Sequence, residues 1–373
     1  MPLTFVVGMP RSGGTMLARV LNLHPDVLCV NEFITNLTRI THEKAFPISV
    51  MNGAELWKIL ESPYHLFDVA ANDGVPYPEL CYPYGIGRFD PASGPLWPQT
   101  VMEPGRGVPI ISHMTLPLLT DDPDALFDRL AAEVSAWPAR PAAEQYRALF
   151  GFLAGLLGRT VVVERSSTSL GLVPLLRALF PEARFVHMHR NGPDCALALS
   201  RHPLFRLAGL RAAAARNTGL NSWEEIQTEW RRIVEQGKLP KEFSGLIARP
   251  FNVEWFMSYD IPLPFFGGMW SRTLVEGLQG LAELPADSWT SLAYEDLLES
   301  GEAELTRLAG YLGVAAPAGW LDAASQLIAE RQAGTPQAGA ADLDPGVLAA
   351  LERSCEQGTQ AIGAAGRSNK EVA

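Results

Sequence analysis

Leu3-Thr4-Phe5-Val6-Val7-Gly8-Met9-Pro10-Arg11-Ser12-Gly13-Gly14-Thr15-Met16-Leu17 is the stretch that decides the fold. Leu3 to Val7 is a short apolar run ending at a glycine, the pattern of a buried parallel strand. Gly8 to Thr15 is a turn, and Met16 to Leu21 continues with helical periodicity. Strand, glycine loop and helix, with Gly8, four residues, Gly13 and then Thr15, give the outline of a phosphate cradle. Glycines let backbone N–H groups converge on an oxyanion, and the N-terminus of the following helix adds its dipole. The lysine that usually precedes the threonine is replaced by Gly14, so the nearest loop cation is Arg11, inside the turn. No apolar strand ends in an Asp placed to hold Mg²⁺. A cradle without the lysine and without that Asp argues against hydrolysis of a nucleoside triphosphate. It suits a phosphate-bearing donor that reacts without metal. A glycine turn that merely packs helix on strand is the alternative these residues leave open.

Working outward, Thr160–Glu164 and Arg184–His189 are two more buried-strand candidates, and Leu172–Phe180, closed by Pro181, is a helix between them. That is a βαβ unit with a right-handed crossover. Trp289–Tyr294 is a fourth strand candidate, followed by a helix over Leu297–Leu312 that ends at Gly313. The fold class is therefore α/β: a P-loop-type three-layer fold, a central parallel sheet flanked by helices, with a loop- and helix-rich insertion. Residues 1–373 read as one domain. The insertion spans about residues 40–150, and its Pro-, Gly-, Tyr- and Trp-rich part reads as loops and short helices that either cover the acceptor site or form a structural cap without ligand contact. Residues 332–345 read as a mobile loop, and the tail from Gly363 as frayed.

The 373 residues carry a net charge of −11, which gives a nucleic-acid role no electrostatic support. Any phosphate must be held by a local cluster of cations. Cys29, Cys81, Cys195 and Cys355 are scattered without metal spacing and read as reduced thiols. No metal site is expected. The N-terminal apolar run is too short for a signal peptide, and no segment is long and apolar enough for a membrane span, so the expectation is a cytoplasmic protein without a membrane partner.

The loop from Gly8 to Leu17 resembles the 5′-phosphosulfate-binding loop of sulfotransferases that use 3′-phosphoadenosine 5′-phosphosulfate (PAPS). It is similar to the Golgi and bacterial branch, which carries Arg where the cytosolic enzymes carry Lys. Leu23-His24-Pro25-Asp26-Val27 followed by Glu32 resembles tyrosylprotein sulfotransferases and their bacterial relatives, and implies Glu32 as the general base. Glu164-Arg165-Ser166-Ser167 resembles the family's Glu-Lys-(Ser/Thr)-Pro turn, which implies Arg165 as the cation at the transferring group. Phe180 to Asp194 resembles the strand and loop that bind the donor's 3′-phosphate, through Arg190. Tyr294-Glu295-Asp296-Leu297-Leu298 and Tyr311-Leu312-Gly313 are similar to later family blocks and imply Tyr294 near the adenine. The resemblance runs from residue 5 to about 313, interrupted by the insertion.

What it implies is PAPS as donor co-substrate, released as adenosine 3′,5′-bisphosphate, and transfer of its sulfuryl group to a hydroxyl. The donor contacts would be Arg11, Ser12, Gly13, Gly14, Thr15, Met16, Arg190, Ser200 and Tyr294, with Arg11 and Arg165 also meeting charge in the transition state. The chain departs from the family at two places. The serine two turns after the arginine is Ala198, with Ser200 as its substitute, and the proline of the Glu-Lys turn is Ser167. His113, in Ile111-Ser112-His113, resembles the histidine of the cytosolic Lys-Thr-His turn and ranks after Glu32 as base. His187 and His189 alternate along one strand, so at most one is expected to face the site, and core histidines are the favoured reading. The aromatic insertion and the residues around Trp255, Phe265 and Phe266 suggest an apolar or mixed small-molecule acceptor, as in secondary metabolism. The rival readings are a P-loop small-molecule kinase and a catalytically degenerate binding module, the latter favoured by Ala198.

Overall fold

The computed structural model describes residues 1–39, 46, 50–63, 75, 108–221, 223–248, 250–333 and 339–370. The chain enters through β1 (Leu3–Gly8), turns at the glycine loop into α1 (Gly14–Asn22), and continues to β2 (Val27–Asn31) and α2 (Phe33–Arg39). Helices α3 (Gly53–Leu60), α4 (Pro123–Val134) and α5 (Ala142–Leu156) precede β3 (Val161–Ser166). Next come α6 (Val173–Leu179), β4 (Arg184–His189) and α7 (Gly192–Ser200). A helical excursion of α8 (Pro203–Arg216), α9 (Trp223–Glu235) and α10 (Val253–Ser258) returns through α11 (Leu263–Ala282) to β5 (Trp289–Ala293). The chain closes with α12 (Tyr294–Glu299), α13 (Gly301–Leu312), α14 (Ala318–Ala333) and α15 (Pro345–Lys370).

All strand pairs are parallel, in the order β2-β3-β1-β4-β5. Every strand therefore ends at one edge, where an open α/β sheet places its ligands. Alternation along β1 splits the core. Phe5 and Val7 face a layer built by α2, α5, α6, α7, α11 and α15, whereas Val6 faces α1, α13 and α14. Phe5 sits 5.3 Å from Phe180 and 5.7 Å from Phe185, ring centroid to centroid. Each such fully buried ring contributes roughly 1.5–3 kcal/mol. The three-layer fold is as the sequence implies.

Several boundaries differ. Strand β2 was not foreseen, although Val27-Leu28-Cys29-Val30 is a continuous apolar run of the same kind as β1. Strand β3 runs on through Arg165 to Ser166 instead of turning at Glu164, because Arg165 pairs in register with both Val6 and Asn31. The expected helix over Leu297–Leu312 is two helices broken at Ser300. Helices α4 and α5, inside the expected insertion, pack into the core through Leu130, Val134, Tyr146, Leu149 and Phe150. Residues 40–45, 47–49, 64–74 and 76–107 of that insertion lie outside the described residues. In the segment read as a mobile loop, residues 334–338 lie outside them as well. Gly339 onward is pinned: the Ala340 N–H donates to Asp194 Oδ1 at 2.9 Å and the Gly339 N–H to Asp342 Oδ2 at 2.8 Å. The tail read as frayed from Gly363 continues as helix to Lys370, because α15 lies along α11 with Leu351 and Cys355 buried. Among the described residues no helix is long and apolar enough to cross a membrane.

Candidate active site

The glycine loop is shaped by what presses on it. Gly13 has φ 87°, and a Cβ there would fall 2.2 Å from Cδ2 of Tyr294. A Cβ on Gly14 would fall 2.0 Å from Nε of Arg165. The place where a P-loop lysine would stand is thus glycine because a guanidinium from β3 occupies it. The cation of the cradle is supplied by the neighbouring strand. The first-turn N–H groups of α1 have no intrahelical partners by geometry and face the same edge. Ser12 is buried, with its hydroxyl 4.0 Å from Sγ of Cys195, and Met16 packs into the core. Of the loop residues named from sequence, these two can offer a ligand only their backbone. Burial raises the Cys195 thiol to about 12, so it stays protonated and donates to the Pro10 carbonyl at 3.3 Å.

Glu32 follows directly on β2 and is 6% exposed. Its Oε1 pairs with Nη1 of Arg165, itself 4% exposed. Its Oε2 accepts from the Ser167 N–H at 3.2 Å and the Ser167 hydroxyl at 3.0 Å. Arg165 Nη1 also donates to Asn31 Oδ1 at 3.2 Å. The Glu32 N–H donates to the Arg165 carbonyl at 2.6 Å, and its own carbonyl accepts from the Asn36 N–H at 2.9 Å. Among the described residues the non-glycines at positive φ are Arg11 at 69°, Glu32 at 57° and Met114 at 63°. A left-handed non-glycine costs of order 1–3 kcal/mol and persists where the surroundings over-determine it, as at functional sites. Two of the three are residues singled out from sequence, and the third follows His113.

At the other flank, Arg190 lies just past β4, its guanidinium carbon 4.7 Å from the centroid of the Tyr294 ring. Its Nη1 donates to the Arg11 carbonyl at 3.3 Å, while its Nε is buried without a hydrogen-bond partner. Glu295 accepts the Asn191 N–H at 2.9 Å and so ties the Tyr-Glu-Asp segment to the turn after β4. Arg11, Gly13, Gly14, Arg165, Glu32, Arg190 and Tyr294 are therefore one contiguous cluster. Residues 2–73 match the model of a sulfotransferase family. That match contains β1, the glycine loop, α1, β2 and Glu32.

Solved sulfotransferases resemble the whole chain at low identity. The sulfotransferase domain from the Synechococcus PCC 7002 olefin synthase is 15% identical, with 95% of this chain and 94% of that one covered and a TM-score of 0.40. Sulfotransferase STF9 from Mycobacterium avium is 12% identical, covering 95% and 75%, at 0.40. A sulfotransferase from Alicyclobacillus acidocaldarius is 14% identical, covering 98% and 96%, at 0.35. The strand order and the site, not these superpositions, carry the fold assignment. No curated protein matches the chain.

The remaining positions named from the sequence are less uniform. Ser200 does not join the cluster. Its hydroxyl donates to the Leu197 carbonyl at 2.8 Å, and it lines a separate cavity of about 680 Å³ with Arg206, Tyr259, Asp260 and Asp344. On α7, Ala198 stands three residues from Cys195 and shares its face toward the loop, whereas Ser200 is turned well away from it. His113 is buried beside the Glu32 corner. Its Nδ1 is 2.9 Å from Asn36 Oδ1, and Asn31 Nδ2 donates to the next carbonyl, of Met114, at 3.4 Å. Alternation along the strand does not separate His187 from His189. Two residues apart on a strand they share a face, with ring centroids 5.2 Å apart. Burial lowers His187 to about 3, so it is a neutral core histidine, and burial lowers His189 as well.

Sequence reading did not single out Asn31, Asn36, Ser167 as a partner of Glu32, or Glu164. The last is fully buried. Its Oε1 accepts from the Ile34 N–H at 2.9 Å and the Ser166 hydroxyl at 2.6 Å, and burial raises its carboxyl to about 8. Asn31, Glu164 and Ser167 share one signal, adjacency to Glu32 or Arg165 at strand ends that otherwise read as apolar, whereas Asn36 lies one turn into α2. Among the described residues no group of His, Cys, Asp or Glu is placed to hold a metal ion.

Proposed function

We propose that this chain is a sulfotransferase that moves a sulfuryl group from PAPS to a hydroxyl of a small-molecule acceptor. The observation that carries the reading is the convergence on one sheet edge of a glycine loop, a guanidinium seated against Gly14, and a carboxylate in contact with that guanidinium. The residues fit the donor's chemistry. The buried Nε of Arg190 lacks a partner, which a phosphate oxygen would supply. Tyr294 offers a ring against the loop. The crevice lined by Gly14, Arg165 and Ser167 has a volume of about 10 Å³, room for no more than one water.

In this reading Glu32 takes the proton of the acceptor hydroxyl, whose oxygen bonds to sulfur in line with the departing bridging oxygen. That oxygen leaves with the bonding electron pair on adenosine 3′,5′-bisphosphate. Arg11, the amides of Gly13 and Gly14, and Thr15 meet the charge that develops on it, and Arg165 meets the sulfuryl oxygens. Such catalysis is mainly positioning and electrostatics. His113 lies behind Asn36 and would line the acceptor side. Ser200, turned into its own helix, is set aside as a 3′-phosphate contact in favour of Arg190.

Calorimetry with adenosine 3′,5′-bisphosphate against Mg²⁺-ATP separates this reading from a kinase: tight binding of the bisphosphate alone is expected. Mass spectrometry of a metabolite mixture incubated with enzyme and PAPS should show the sulfate mass increment on a hydroxylated product. Preference for ATP would sink the reading.

A further inference from the structure

Resting on that reading, we infer that Ser167 is a positioning residue that gives the two oxygens of Glu32 different tasks: Oε2 is held, and Oε1 receives the proton. A carboxylate oxygen has about two lone-pair sites. At Oε2 both are taken by donors from one residue, the Ser167 N–H at 3.2 Å and its hydroxyl at 3.0 Å. At Oε1 a single donor is present, Nη1 of Arg165. The backbone that carries the carboxylate is itself fixed. Glu32 sits at φ 57°, its N–H is bonded to Arg165 and its carbonyl to Asn36.

A proton on Oε2 would have to displace one of its two Ser167 donors, whereas Oε1 carries only Arg165 Nη1 and keeps one lone-pair site open. When the acceptor O–H bond breaks, its proton therefore goes to Oε1 as the acceptor oxygen bonds to sulfur and the bond from sulfur to the bridging oxygen breaks. The role depends on a residue with both an N–H and a hydroxyl at this turn. Proline, which supplies neither, would leave Oε2 without either donor.

A graded series at residue 167 tests this. Ser167→Thr keeps both donors, Ser167→Ala keeps the N–H, and Ser167→Pro keeps neither at a turn position that follows a strand and accepts proline. We expect kcat within about twofold of wild type for Thr, about tenfold lower for Ala and about 100-fold lower for Pro. The Kd for adenosine 3′,5′-bisphosphate, measured by calorimetry on the same proteins, should stay within about twofold throughout, since none of these changes touches the nucleotide contacts. The inference is overturned if Ala and Pro turn over like wild type, if Thr fails to rescue, or if bisphosphate affinity falls in step with kcat. Those failures leave the sulfotransferase reading standing, because wild-type binding and transfer are measured beside them. A wild-type chain that neither binds the bisphosphate nor transfers sulfate overturns both together.

Discussion

At the β2–β3–β1 end of the sheet edge, Glu32, Arg165, Asn31 and Ser167 are nearly sealed from solvent or tied to one another, and the backbone at Glu32 is held left-handed. At the β1–β4 end, Arg190 makes one hydrogen bond, to the Arg11 carbonyl, over an aromatic ring, and its Nε is unsatisfied. The helix beside it carries Ala198 three residues from Cys195, and Ser200 faces another cavity. The first end is organised by contacts the protein makes with itself. The second end leaves the Nε of Arg190 without a protein partner. On the proposed reading, the end that performs proton and sulfuryl transfer is preorganised, and the end that grips the nucleotide completes itself on binding. Preorganised dipoles at the reacting atoms need no rearrangement during the reaction.

The largest expected effect breaks the first end. Glu32→Gln removes the base but keeps a side chain of the same shape for Ser167 to hold. Turnover should fall by roughly 10²-fold or more, with bisphosphate affinity nearly unchanged in calorimetry. Full activity in this variant would transfer the base role to another residue, His113 being nearest in the hydrogen-bond network. The second end is broken by Arg190→Ala. Binding of adenosine 3′,5′-bisphosphate should weaken roughly 10–100-fold, while adenosine 5′-monophosphate binding changes little. Equal weakening of both nucleotides would remove Arg190 from the 3′-phosphate.

The two ends also differ in how far they were legible in the amino-acid sequence. Arg11 is legible as the cation inside the glycine loop, whereas Arg165 and Arg190 are legible chiefly through the family resemblance; the parallel sheet then brings all three to one edge. Ser167 read only as a missing proline, since its value lies in two hydrogen bonds to a residue 135 positions away. Gly14 read as a missing lysine, and only the register of β3 on β1 shows that Arg165 fills its place. Ser200 was chosen by nearness in number to Ala198, and helical geometry turns it to a different face. The excursion over α8, α9 and α10 was unreadable as a unit because its burial is shared with α7 and α11.

A smaller effect, on stability, probes the layer behind the first end. Burial raises Glu164 from the ordinary value of 4.5 to about 8. Between these values the folded chain keeps a proton that the unfolded chain has released, so stability from this group is full below about 4.5 and is lost as pH rises through about 8. His187 acts in the opposite sense. Its lowered value adds stability as pH rises from about 3 to its ordinary 6.5. Glu164→Gln does not titrate. The thermal midpoint of wild type relative to this variant should therefore decline steadily from pH 5 to pH 8. A gap that stays constant with pH would mean that Glu164 is ionised in the folded protein.

The smallest effect sharpens the second end instead of breaking it. Ala198 lies on the face of α7 that carries Cys195, whose thiol reaches the loop carbonyl of Pro10, and it is three residues along the helix from that contact. A hydroxyl there would lie toward the loop and Arg190, while the helix backbone need not move. Ala198→Ser should tighten binding of adenosine 3′,5′-bisphosphate by about three- to tenfold, the worth of one added hydrogen bond to a charged group when part of it is offset by desolvation. Adenosine 5′-monophosphate should bind both proteins alike, and Ser200→Ala should change neither ligand's affinity, because that hydroxyl is spent on Leu197. If Ser200→Ala weakens the bisphosphate and Ala198→Ser does nothing, the helix presents its other face to the nucleotide, and the contrast between a finished end and an open one no longer holds.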